Sequence, residues 1–199
     1  MDIIISTRNP SKLEQIRGFF DGLPISFLTL DDVGIEGDAI EDGETLEENA
    51  LKKALFAFDC ALEKTWVIAD DTGLFINALD GAPGIKAARW AGETATTDEI
   101  TEHALRTLQG VVDRSATFET VVVVMAPDGQ WHSFSGDVRG HLLEAPRVKP
   151  QPKMPYSPIF VPDGFDLVWA EMSVELENSI SHRGKALRKA RIFLEGYMK

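Results

Sequence analysis

With a single cysteine, Cys60, the chain forms no internal disulfide, which fits a reducing compartment. Cys60 falls in a stretch that reads as helix and is expected to be a small apolar residue there, not a nucleophile. Long hydrophobic runs are missing too. The longest, VVVVMA at 121–126, is far below the roughly 20 residues that cross a bilayer, and MDIIISTRNP is too short in its apolar part for a secretion signal. Positive charge is scarce: 20 Lys and Arg stand against 32 Asp and Glu, a net charge of −12, with a pI near 4.7. General attraction to nucleic acid or to anionic membrane is therefore not expected. An anionic ligand needs a local cationic pocket or a metal. The glycine-rich P-loop is also absent. These absences point to a cytoplasmic protein without membrane or nucleic-acid partners.

What is present is enough for a sizeable core. The 199 residues, 44% hydrophobic and 26% charged, suggest one globular domain spanning 1–199. DIIIST (2–7) reads as a buried strand, and NPSKLEQIRGFF follows as a helix with Asn9 as cap and Pro10 in the first turn. ISFLTL (25–30) is a second strand and the acidic 31–44 a loop. A helix over 45–64 opens on a Thr45-x-x-Glu48 capping box. TWVIAD (65–70) is a strand, DGAPG (80–84) a tight turn and 96–110 a helix. ATFETVVVVMA, PDG and QWHSFSGDVRGHLL form a hairpin. Five of the ten prolines fall between 146 and 158, marking a loop. The last helix, 181–198, carries an apolar stripe of Leu187, Ala190, Leu194 and Tyr197. The order of elements implies one mixed α/β domain.

Three segments concentrate the chemistry. STRNPSK places Thr7, Asn9 and Lys12 at a strand–helix junction, where free N–H groups favour an anion; capping by Asn9 and solvation of Lys12 is the plainer alternative. SHRG puts His182 and Arg183 in the first turn of the last helix, where cations are electrostatically disfavoured; a bound anion would account for them, and ordinary surface charge is the alternative. ADDTG sets Asp70 beside Asp71 at the end of a strand, although adjacent carboxylates resist burial. If both continue the strand they face opposite sides. Carboxylates near phosphates commonly act through Mg²⁺, for which Glu48 is a candidate second ligand; its capping role competes with that.

The ordered set STRNPSK, TLEENALKKA, IADDTGL, GAPGIKAARWAGE, YSPIF, WAEM and SHRGKAL resembles the inosine triphosphate pyrophosphatase family, also called noncanonical purine nucleoside triphosphate pyrophosphatases. The resemblance covers nearly the whole chain. It implies a mixed central sheet flanked by helices, in two lobes around a deep nucleotide-binding cleft, and a homodimer. It implies Mg²⁺-dependent hydrolysis of ITP, dITP or XTP to monophosphate and pyrophosphate, which cleans the nucleotide pool. By position, Thr7, Asn9, Lys12 and Lys53 would hold the triphosphate. Asp71 would be the base or a metal-associated acid, with Asp70 as the other candidate base and Glu48 assisting the metal. Thr72, Met154, Tyr156, Ser157, His182 and Arg183 would contact the substrate.

The chain departs from the family in the base-binding segment. KMPYSPIF stands where Gly-Phe-Gly-Tyr-Asp-Pro-Ile-Phe is common, so Met154 replaces an aromatic, Pro155 a glycine and Ser157 an aspartate. Glu177 stands where lysine is frequent. A thioether stacks less directionally than a ring and a hydroxyl is not a carboxylate. Reduced discrimination between bases is expected, which leaves open the same chemistry on another modified or a standard nucleotide. A nucleotide sensor without turnover is a further alternative, disfavoured because binding alone does not need the hydrolytic acids.

Overall fold

Ile3, Ile4 and Ile5 are β-branched and wholly buried, and they form β1, Asp2–Ile5, in the computed structural model, which describes residues 1–198. Parallel neighbours flank it: β2, Ser26–Thr29, through Ile3↔Phe27, and β3, Trp66–Ile76, through Ile3↔Trp66. From β1 the chain passes through α1, Pro10–Phe19, to β2, then back past β1 through α2, Leu46–Cys60, to β3. These crossovers run in opposite directions along the sheet. Their usual right-handedness therefore puts α1 and α2 on opposite faces.

Buried residues sort the same way. Ile3, Ile5 and Ile68 pack with Ile16 of α1 and with Leu187, Ala190 and Leu194 of α5, His182–Tyr197. Ile4, Val67 and Ala69 pack with Ala50, Ala54 and Ala57 of α2. The valine run divides accordingly in β5, Ser115–Met125: Val122 and Val124 join the first group, Val123 and Met125 the second. Alternation of strand side chains explains why one continuous apolar run serves two cores.

The remaining strands are β4, Pro83–Gly84, β6, Trp131–Leu142, and β7, Phe160–Pro162. Strand order is β2-β1-β3-β5-β6-β7, with β4 on β3. The mixed α/β class expected from the sequence is what forms. The chain divides into two compact units, Met1–Asp71 with Thr120–Gly136 and Arg183–Lys199, and Thr72–Glu119 with Asp137–His182. The second has its own core, in which Ile100 and Ala104 of α3, Thr97–Thr107, and Leu108 just after it pack with Tyr156, Phe160 and Trp169. Gly140 is required where β6 meets β7, since a Cβ there would lie 2.2 Å from the Val161 carbonyl oxygen.

Several local expectations need correction. The strand expected over 65–70 continues to Ile76, because ADDTG stays extended and β4 pairs with its far end. Here Gly73 is needed too: a Cβ would come within 2.9 Å of Gly84 O. The helix expected to run to 64 ends at Cys60, which is exposed and not part of the core. Tyr197 lies at 56% exposure, outside the buried stripe, with its ring edge-on to Trp66 at 5.0 Å. β7 and the short α4, Val174–Ile180, were not anticipated; three and seven residues carry too little periodicity.

Candidate active site

Asp70 continues the alternation of Ile68, and Asp71 that of Val67 and Ala69. Each acid therefore meets the helices on its own face of the sheet. Asp70, 1% exposed, lies 2.9 Å from Lys12 Nζ of α1 and 3.2 Å from Arg183 Nε of α5. Asp71, 5% exposed, accepts from Lys53 Nζ at 2.6 Å and from Asn49 Nδ2 at 3.4 Å, both on α2. Two neighbouring carboxylates are thus buried by separate partners.

Their electrostatics are opposite. Burial alone would raise Asp70, yet Lys12, Arg183 and Lys53 outweigh it and hold the carboxyl well below its ordinary range. For Asp71 burial prevails over Lys53, so its proton affinity is raised. The cations mirror this. Lys12 is lowered, by burial first, with Lys53 and Arg183 adding to it against the pull of Asp70. Lys53 is raised although burial opposes it, because Asp71, Glu41 and Asp70 all favour its charge. The asymmetry within the Lys12–Asp70 pair has a simple cause. One anion gains from three cations, while each cation gains from that anion and is repelled by the other two. Asp70 is a fixed negative charge; Asp71 is the better proton acceptor.

Glu41 was not singled out from the sequence. Its Oε1 lies 3.2 Å from Lys53 Nζ, so Glu41 and Asp71 converge on one ammonium. Seven acids fall between residues 31 and 44, and a loop has no periodicity to distinguish one from another. Glu48 Oε2 accepts from Glu44 N at 2.7 Å. Thr45 caps α2 through Glu48 N at 3.1 Å, so the reciprocal half of the capping box goes to Glu44 instead of Thr45.

At the start of α1, Asn9 Oδ1 accepts from Ser11 N at 3.0 Å, and Thr7 Oγ1 accepts from Asn9 N at 3.2 Å. Arg183 donates to Gln15 Oε1 at 2.6 Å as well as to Asp70. The first unit thereby gathers Lys12, Lys53, Arg183, Asp70, Asp71 and Glu41. Arg8 turns to the acidic loop: Nη2 donates to Ile35 O at 2.7 Å and Gly37 O at 3.0 Å, and Nη1 to Asp31.

In the second unit, Thr72 is half-buried in β3. His182 stacks on Phe118 at 5.0 Å and meets Trp169 edge-on at 5.6 Å. Tyr156 is buried and donates to Ala87 O at 2.8 Å; burial pushes its phenol above the ordinary range. Ser157 Oγ donates to Met154 O at 2.7 Å and accepts from Gln151 N at 2.9 Å. Met154 N closes the turn onto Gln151 O at 3.0 Å.

The sequence pattern of the Ham1 family matches residues 3–193. The chain belongs to the Ham1 family. Within reach of this Ham1-family chain is a dITP/XTP pyrophosphatase of Thermoanaerobacter pseudethanolicus, 42% identical over 198 residues, which cover 98% of this chain and 96% of that one. A Ham1 protein of Coxiella burnetii superposes with a TM-score of 0.88 at 32% identity, over 98% of this chain and 99% of its own. That of Staphylococcus aureus gives 0.87 at 33%, over 99% and 100%. The family resemblance expected from the ordered motifs is borne out over nearly the whole chain.

Proposed function

We propose that this chain hydrolyses noncanonical purine nucleoside triphosphates, ITP, dITP or XTP, to the monophosphate and pyrophosphate. The observation that carries the chemistry is the opposite tuning of adjacent acids: Asp70 held ionised by Lys12 and Arg183, Asp71 raised in proton affinity beside Lys53. Environments that push two titratable groups apart assign their roles. The dITP/XTP pyrophosphatase relative supports the substrate class.

In this reading Lys12, Arg183 and Lys53, with Thr7 and Asn9, bind the phosphates, and Asp71 takes a proton from the attacking water. The water oxygen bonds to the α-phosphorus, the bond to the bridging oxygen breaks, and pyrophosphate leaves with that electron pair. Cationic side chains stabilise the departing charge. Thr72, Met154, Tyr156 and His182 contact the nucleoside. Among the described residues no three acidic, His or Cys side chains cluster to hold a metal, but Mg²⁺ commonly takes one or two carboxylates plus substrate oxygens. Glu41 and Asp71 fit that demand, since both already converge on the Lys53 ammonium. Mg²⁺ held there would supply Lewis acidity at the phosphates. A homodimer in the cytoplasm belongs to the same reading.

A different base is the second reading. It is favoured by Ser157, whose hydroxyl is engaged with Met154 O and Gln151 N. Pyrophosphate release measured across ITP, XTP, GTP, ATP and their deoxy forms, with Mg²⁺ and with EDTA, tests both. Metal-dependent release of pyrophosphate is expected, greatest with ITP or XTP. Orthophosphate released directly from the triphosphate would overturn the mechanism, and a best rate with another base would select the second reading.

A further inference from the structure

Arg8 sits between Thr7 and Asn9, yet its guanidinium is committed to the acidic loop. Nε donates to Gly37 O at 3.3 Å, Nη2 to Ile35 O at 2.7 Å and to Gly37 O at 3.0 Å, and Nη1 to the Asp31 carboxylate. Asp38 adds an ion pair at 3.3 Å. Asp31 and Asp38 are exposed, so their ion pairs contribute little; the backbone carbonyls are the specific part. A guanidinium has five donors in a rigid fork, and most are used here. Gly34 and Gly37, with φ of +70° and +79°, permit the turns of this loop.

Downstream, the same loop is anchored again. Gly43 N donates to Asn49 Oδ1 at 2.8 Å, and Asn49 in turn reaches Asp71. A side chain at Gly43 is excluded, since a Cβ would lie 2.7 Å from Asn49 Oδ1. Glu41 lies on the short span between Gly37 and Gly43 and meets Lys53 Nζ at 3.2 Å.

We propose that Arg8 is a positioning residue which fixes the upstream end of this span and so places Glu41 beside Lys53 and Asp71. The inference rests on the proposed role of Glu41 and Asp71 in hydrolysis. It assigns to Arg8, between Thr7 and Asn9, a task distinct from phosphate binding.

The test uses the full chain with Arg8→Ala, Arg8→Lys, Glu41→Gln and the double variant Arg8→Ala/Glu41→Gln. Amide hydrogen exchange without metal or nucleotide is expected to quicken about ten-fold across residues 31–42 in Arg8→Ala, with α1 and α2 still protected. Arg8→Lys, which keeps the charge but not the fork, should fall between. Pyrophosphate release gives the second arm: Arg8→Ala lowers kcat/KM roughly ten-fold, and adds nothing further in the Glu41→Gln background. Additive losses overturn the proposal. So does unchanged loop exchange with a raised KM, the mark of a phosphate ligand. If Glu41→Gln alone is without effect while Arg8→Ala still loosens the loop, the role given to Glu41 has failed and the positioning claim falls with it. A parent protein that releases no pyrophosphate from any triphosphate fails the functional reading instead.

Discussion

The first unit pairs its buried carboxylates with long cationic side chains, whereas the second engages the Ser157 hydroxyl with its own backbone. Asp70 and Asp71 depend on Lys12, Arg183 and Lys53; Ser157 is closed between Met154 O and Gln151 N. The difference lies in what a ligand can exchange. Ammonium and guanidinium groups can turn from a carboxylate to a phosphate with little loss. A hydroxyl that holds a turn cannot be released without opening the turn. The charged cluster is therefore suited to react and the proline-rich segment to shape. Selectivity in this chain is expected to come from the form of the segment more than from the Ser157 hydroxyl.

The strongest way to break that comparison is Asp70→Asn. It leaves Lys12 and Arg183 buried without their anion, and removing one partner of such a pair costs about 3–5 kcal/mol. Thermal unfolding should register this at neutral pH. The linkage sign follows from the lowered carboxyl. Its contribution is fully present above the unfolded value of about 3.9 and is lost as pH falls toward the folded one. The Tm difference between parent and Asp70→Asn should accordingly narrow below about pH 4. A gap that stays constant with pH would show that Asp70 acts by shape alone.

Asp71→Asn comes next, with turnover expected to drop on the order of 10²-fold or more while unfolding stays cooperative. Because burial raises Asp71 against the pull of Lys53, activity should fail on the acid side at a higher pH than an ordinary carboxylate would give. Replacing Lys53 with Met removes that pull and should move the acid limb higher still. A pH–rate profile that shifts downward in Lys53→Met contradicts the assignment of the base.

The smallest effect sharpens the other half of the comparison. Ser157→Ala leaves Gln151 N without its partner, while Met154 O keeps the backbone bond from Ser157 N at 3.1 Å; it should destabilise the protein by about 1–2 kcal/mol, with the ratio of kcat/KM for ITP over ATP unchanged. A change in that ratio without loss of stability would return Ser157 to direct reading of the base.

Much of this arrangement was legible in the sequence. The order of strands and helices followed from β-branched runs and from caps such as Asn9 and Thr45. The pairing of Asp70 and Asp71 with opposite faces followed from strand alternation. Glu41 was not legible, because only the folded loop decides which of its acids reaches Lys53. Nor was the closed state of Ser157, since it depends on a turn between Gln151 and Met154 that prolines announce without specifying. The resemblance to a known family located the segment but not its hydrogen bonds.

The polypeptide changes unit four times, after Asp71, Glu119, Gly136 and His182. Two of these points fall inside ADDTG and SHRG. Neither unit is a continuous stretch of chain, so no single cut yields one, and no simple fusion of two ready-made genes could have joined them. Insertion of foreign sequence at such a point would interrupt a motif, and recombination there would separate Asp71 from Thr72 or His182 from Arg183. The smallest piece that can be inherited or transplanted intact is the whole interleaved chain.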